Sequence, residues 1–386
     1  MIDSDDPVPN AVPHLAGKEW QYVKECLDTN WVSSIGPFVD RFEREMAAYV
    51  DARHGIAVVT GTAALHAALV AADVGPDDEV LVPSLTFVAT ANAIRYCGAW
   101  PVFMDSDPKT WNIDPAKTAE FLARECERRS GSLVNRASGR RVKAILPVHL
   151  YGHPADLDPL LDLASRHALA LVEDATESLG ARYKGRRVGV AGQTGCLSFN
   201  GNKIITTGGG GMVVTNDERT ARRLRSITTQ ARGDAKEWIH DAVGFNYRMT
   251  NIQAALGVAQ LEQLDHFVES KRATARAYTE ALAGLTGAEP CGEQPWAHSN
   301  FWMYSIQLDP AVWGSARRVI DAAAAAGIQC RPLFYPVHRQ PPYRDCQAYR
   351  VEVADRLHAR GLSLPCSVGI TQAQRARVVR FLTHLK

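Results

Sequence analysis

What this chain lacks narrows it first. It has no Cys-x-x-Cys pair, and its eight cysteines (Cys26, Cys97, Cys126, Cys196, Cys291, Cys330, Cys346 and Cys366) are scattered without matching histidine spacing. No zinc site, and no other metal site, is expected from such a pattern, and reduced thiols in a cytoplasm fit it best. No apolar stretch approaches the roughly 20 residues of a membrane helix. The formal net charge is +1, so composition offers no basic face to nucleic acid or to an anionic membrane. The opening "MIDSDDPVPNAVPHL" is acidic and proline-rich where a secretory signal would be basic and then apolar, so none is expected. There is no internal repeat, and no low-complexity tract beyond an alanine run at 322–326 that suits a helix. No Gly-x-Gly-x-x-Gly follows a strand and opens a helix, which argues against an NAD-dependent enzyme. What remains is a globular composition, 46% hydrophobic and 22% charged over 386 residues, enough for two or three domains.

From Lys18 to about Tyr49, Trp20, Val23 and Leu27, then Phe38, Phe42, Met46 and Val50, recur at helical spacing around the loop "TNWVSSIG". Beyond it, β-branched runs alternate with Ala/Leu-rich segments. "HGIAVVTGTAALHAALV" and "DEVLVPSLTFVATANAI" each read as strand, loop and helix; "WPVFMDSD", "RRVKAILPVHLYG" and "LALVEDA" read as strands. This alternation predicts a mainly parallel α/β sheet with ligands at the carboxyl ends of its strands. The charged, Ser- and Gly-containing segment 125–141 reads as a surface excursion. The expected division is a large α/β domain over 1–255, with the N-terminal helices, and a linking helix plus small C-terminal domain over 256–386.

The stretch "CLSFNGNKIITTGGGGMVVTND" sets Lys203 between Ser198 and four glycines. A Walker loop needs its glycines before the lysine and a helix after it; here they follow the lysine and lead into a strand. Three other features give the lysine a context. Thr60-Gly61-Thr62 at a helix start offers N–H groups and a hydroxyl to a phosphate. Phe87, in a loop after a strand, could stack on a flat ring. Asp174 ends the hydrophobic run "LALVEDA"; alone it could equally cap the next helix, as a lone loop lysine is usually solvated. Together, a phosphate cup, a stacking face, an anion for a ring nitrogen and an amine specify pyridoxal 5′-phosphate.

With these motifs in place, the chain resembles the DegT/DnrJ/StrS-type aminotransferases of nucleotide-linked keto sugars. The resemblance runs through "NWVSSIGPFVDRFE", "VVTGTAALHAAL", "VLVPSLTFVATANAI", "ILPVHLYG", "VEDATESLGARYKGRRVG", "LSFNGNKIITTGGGGMVVT" and "GFNYRMTNIQAALGVAQLE". It implies the fold type I architecture of pyridoxal phosphate enzymes, L-glutamate as amino donor, and a homodimer with shared active sites. Residue by residue, it implies that Lys203 holds the cofactor, Asp174 pairs with the ring nitrogen, Phe87 stacks, and Gly61, Thr62 and Ser198 bind the phosphate. Asn246, in "GFNYRMT", would reach the phosphate of the neighbouring subunit. Trp31, Ser33, Ser34, Tyr335 and His338 are weaker candidates for lining the sugar nucleotide, and Trp31 could equally be a core aromatic.

Two departures from the family pattern matter: Glu177 stands where many members have Gln, and Gly209 where many have Glu. Glu177 resembles the subset that aminates C4, with a tolerated amide-to-acid change as the plain alternative. "TNWVSSIG", the glycine run, "TTQAR" and the 125–141 excursion resemble the legionaminic-acid branch, which implies UDP-2-acetamido-2,6-dideoxy-4-keto-hexose as acceptor. The GDP-perosamine type and 3-keto sugar aminotransferases are the alternatives. Lys203 argues against a related dehydratase, which has histidine there. The set Lys203, Asp174, Ser198 and Asn246 argues against a cofactor-binding regulator without enzymatic activity.

Overall fold

The alternating runs fold into an eight-stranded sheet in a computed structural model that describes residues 6–234 and 236–385. From one edge, the strands are His54–Val58, Gly211–Thr215, Thr194–Ser198, Ala170–Asp174, Val142–Ile145, Glu79–Pro83, Trp100–Met104 and Ala348–Tyr349. Only Gly211–Thr215 runs antiparallel to its neighbours; the other pairings are parallel. Alternate side chains enter opposite cores. Ile56, Val58 and Val213 pack with the helices Gly61–Ala71 and Val88–Tyr96, while Ala57, Met212 and Val214 pack with Pro37–Tyr49 and Asn251–Leu261. Covering both faces removes water from the strands, as parallel sheets require. Gly61–Ala71, whose alanines and leucines are buried almost all round, is a core helix without a polar face.

The glycine run belongs to this architecture. Gly208 takes a left-handed φ of +78°, a conformation nearly free of cost only for glycine. A Cβ on Gly211 would lie 2.5 Å from the Thr60 carbonyl oxygen and 2.7 Å from Gly61 N. The glycines therefore let the returning strand pass against the backbone where the helix Gly61–Ala71 begins.

The first helix, Glu19–Asp28, forms as the periodicity predicts, but with the other face inward. Glu19, Tyr22 and Cys26 are buried, and Glu19 accepts from Gln260 Nε2 at 2.6 Å. Trp20 and Leu27 are exposed in the single chain. Spacing identified an apolar stripe but could not say which surface meets it. The 125–141 excursion is a hairpin, Cys126–Arg129 with Ser132–Asn135. Cys126, Leu133, Val134 and Asn135 are buried, so its apolar face is part of the core.

Past the helices Asn251–Leu261 and Leu264–Leu282, a four-stranded antiparallel sheet takes the order Ala288–Pro290, Tyr304–Leu308, Gly361–Leu364, Arg331–Pro332. Ala348–Tyr349, from the same part of the chain, pairs with Trp100–Met104 in the large sheet.

Candidate active site

At the carboxyl ends of the parallel strands a cavity of about 360 Å³ opens toward the small sheet. Each large-sheet strand near it delivers one group. Ala170–Asp174 ends in Asp174, which is buried. Its Oδ2 accepts from the Thr90 hydroxyl at 2.7 Å and its Oδ1 from Thr176 N–H at 3.1 Å. Those two donors fix the direction of the carboxylate. Thr194–Ser198 ends in Ser198, and the loop after it carries Lys203.

Thr60 caps the helix Gly61–Ala71, its hydroxyl accepting from Ala63 N–H at 3.0 Å. The N–H groups of Gly61 and Thr62 lie in the first turn, where no intrahelical acceptor exists. A Cβ on Gly61 would stand 2.7 Å from Ser198 Cβ, so glycine leaves the cradle between these residues open. Helix start, hydroxyl and open backbone fit a phosphate monoester. The amine and carboxylate fit an aromatic aldehyde with a ring nitrogen.

The amine is mostly enclosed. Lys203 Nζ lies 3.6 Å from Glu177 Oε1, with the two side chains 11% and 2% exposed. Burial pulls the Lys203 amine below the usual lysine range, against the carboxylates of Glu177 and Asp174. Burial pushes the Glu177 carboxyl up to about 6, with the lysine and the Tyr151 N–H opposing. That N–H donates to Glu177 Oε2 at 2.8 Å. It can do so because Tyr151 is left-handed, at φ 53°, and Gly152 follows at φ 93°.

Lys203, Asp174, Glu177, Gly61, Thr62, Phe87 and Ser198 thus line one cavity. The other candidates do not line it in the single chain. Asn246 forms a bridge with Thr229. The carbonyls of Trp31 and Ser33 accept from Asn251, Trp31 from its Nδ2 at 2.8 Å and Ser33 from its N–H at 2.6 Å; Ser34 adjoins them. Tyr335 packs edge-on against His358. His338 Nδ1 sits 2.6 Å from the Ser84 hydroxyl, tying the C-terminal part to the loop before Phe87.

Sequence reasoning missed Thr90, Tyr151, Trp302, Arg331 and Phe334, all of which line the cavity. Thr90 offered a signal, as a hydroxyl one turn beyond Phe87. The others come from distant segments, and no local spacing marks them.

Fold and site together define a pyridoxal phosphate-dependent aminotransferase. The chain matches the DegT/DnrJ/EryC1/StrS aminotransferase family over residues 13–383, and it belongs to that family. It is 43% identical to a GDP-perosamine synthase of Caulobacter vibrioides over 97% of each chain. It is 39% identical to a GDP-perosamine synthase of Escherichia coli O157:H7 over 95% of each. A solved aminotransferase from Psychrobacter cryohalolentis is 30% identical and superimposes with a TM-score of 0.87 over 97% of this chain and 98% of that one. These relatives favour the GDP-perosamine type over the legionaminic-acid branch expected from the sequence. Two of the segments behind that expectation have backbone roles in the single chain: the Trp31 and Ser33 carbonyls of "TNWVSSIG" bond Asn251, and the glycines admit a close strand.

Glu177 gives the site a pH signature. Its folded-state value of about 6 lies above the ordinary 4.5, so burial costs stability only once the carboxyl ionises. That cost is absent below 4.5, grows as pH rises through about 6, and then levels off at about 2 kcal/mol. In urea titrations of cofactor-free protein, the wild type should lose stability relative to Glu177→Gln between pH 4.5 and 6.5, with no further divergence to pH 8. A relative gain over that window would contradict the assignment.

Proposed function

We propose that this enzyme transfers an amino group from L-glutamate to C4 of a nucleotide-linked 4-keto-6-deoxy sugar, with GDP-4-keto-6-deoxymannose the preferred acceptor. The observation that carries the chemistry is the enclosed Lys203 amine beside Glu177, in one cavity with Asp174 and an open helix start. The choice of acceptor is supported by the two GDP-perosamine synthases at 43% and 39% identity.

In this reading Lys203 would hold the cofactor aldehyde, Asp174 the ring nitrogen, Phe87 a ring face, and Gly61, Thr62 and Ser198 the phosphate. When bound, the cofactor supplies an electron sink for a carbanion. The chain's own groups do the rest. Lys203, once its amine is free, moves a proton from Cα of the donor and returns one to C4 of the acceptor, a role worth about 10² to 10⁴-fold in rate. Thr90 and the Thr176 N–H keep Asp174 aimed. Glu177 holds the amine on one side and the Tyr151 backbone on the other, which fixes where the proton carrier stands. The buried cavity walls exclude water and strengthen each of these electrostatic contacts. As glutamate gives up its amino group, water supplies the keto oxygen of 2-oxoglutarate, and as the amino group is delivered to the sugar the ketone oxygen leaves as water, so no water is consumed overall.

The sugar assignment is tested by mass spectrometry of products from GDP-4-keto-6-deoxymannose, UDP-2-acetamido-2,6-dideoxy-4-keto-hexose and a dTDP-linked 3-keto sugar, each with glutamate. The GDP sugar should be aminated with the highest kcat/KM. Faster turnover of the UDP sugar would restore the branch expected from the sequence, and faster turnover of the 3-keto sugar would overturn C4 chemistry.

The same proposal includes a homodimer in which Asn246 completes the partner's phosphate site. Its support is the absence of Asn246 from its own chain's cavity and the family position it matches. Mixing inactive Lys203→Ala and Asn246→Ala chains should restore partial activity, because one site of each heterodimer then carries neither lesion. No recovery after verified subunit exchange would rule out the shared site.

A further inference from the structure

The indole of Trp302 forms a wall against Lys203, with Nζ 3.8 Å from the ring centroid. Each polar atom of this tryptophan is engaged. Its ring N–H donates to the Asn202 carbonyl at 2.7 Å, on the loop that carries the lysine. Its backbone N–H donates to Asn300 Oδ1 at 2.7 Å. Its carbonyl accepts from Lys271 Nζ at 3.0 Å. Asn300 is held in turn, its Nδ2 donating to the carbonyls of Glu177 at 3.0 Å and Leu179 at 2.9 Å. Its Oδ1 fills the space beside Gly152 where any Cβ would collide. A buried lysine, a buried asparagine and the lysine's own loop thus hold one aromatic face in place.

We propose that Trp302 is a positioning residue for the reacting amine: its indole face is the seat that the Lys203 ammonium occupies whenever the amine is free of cofactor, and it sets that amine's balance between charged and neutral forms. This rests on Lys203 being the reacting amine. The charged and titratable groups lining the cavity with it are Glu177, Asp174, Tyr151 and Arg331. Burial favours the neutral amine, and the two carboxylates favour the ammonium. Glu177 is an inconstant partner, because it takes up a proton near pH 6. The ring quadrupole attracts a cation but cannot accept a proton, so the seat persists as Glu177 titrates. A seat beside the reaction centre keeps the freed amine within reach of the carbon it must serve, and a cation–π contact is weak enough for the amine to leave as it loses its charge.

The test reads the amine directly in cofactor-free protein. Competitive acetylation with acetic anhydride across pH, followed by mass spectrometry of the Lys203 peptide, gives that lysine's apparent pKa, with exposed Lys184 as internal control. Replacing the eight tryptophans with fluorinated analogues weakens the ring quadrupole with little change in shape, and Trp302 is the only tryptophan ring facing Lys203 among the described residues. The Lys203 value should fall stepwise with the number of fluorines, by about one unit for the tetrafluoro ring, a tenfold loss of ammonium relative to amine. Trp302→Leu should match that drop and Trp302→Phe should give less, while Lys184 stays constant. A Lys203 profile unmoved by fluorination overturns the proposal. Borohydride fixing the cofactor on another lysine would instead overturn the functional reading on which it rests, whatever the labelling profile.

Discussion

A primary amine held in a cavity from which water is largely excluded is the constraint on which the rest of the site depends. An isolated ammonium there would be costly, and an amine with no partner would have no fixed place. The chain resolves this with Glu177 at 3.6 Å and the Trp302 ring at 3.8 Å, two partners of different chemistry on different elements. Neither is placed by its own segment alone. Glu177 needs the left-handed backbone of Tyr151 to supply an N–H, and Trp302 needs Asn300 and Lys271.

These contacts also join the large sheet to the C-terminal part. Asn300 bonds the carbonyls of Glu177 and Leu179, the Phe334 N–H donates to the Tyr151 hydroxyl at 2.8 Å, and the two rings stack with centroids 5.0 Å apart. Val337 N–H donates to the Ser84 carbonyl at 2.8 Å, beside the Ser84–His338 contact. The wall of the active site and the seam between the two parts of the chain are therefore one set of interactions. A substitution that loosens the seam should be felt at the amine before it is felt in the core.

Much of this was legible before the structure, and the boundary is physical. Strands such as Ala170–Asp174 declared themselves because burial on both faces forces continuous apolar runs. Asp174, Ser198 and Lys203 stood out because a polar group at a strand end in such a sheet needs a reason. The orientation of Glu19–Asp28 was not legible, since spacing reveals a stripe but not its partner. Nor were Trp302, Tyr151 and Phe334, whose roles arise from contacts across long sequence separation. For the acceptor sugar, the named relatives back the GDP-perosamine alternative better than the UDP-sugar branch expected from the sequence, while the residues lining the cavity are scattered along the chain from Thr60 to Ser363.

The central claim is that Lys203 is the amine the enzyme works with. Sodium borohydride reduction of the purified, cofactor-loaded enzyme followed by peptide mass spectrometry tests it most directly. The account predicts one phosphopyridoxyl group per chain, on Lys203, and none in Lys203→Ala. A label on any other lysine, or a protein that acquires no visible absorbance with added pyridoxal phosphate, would contradict it.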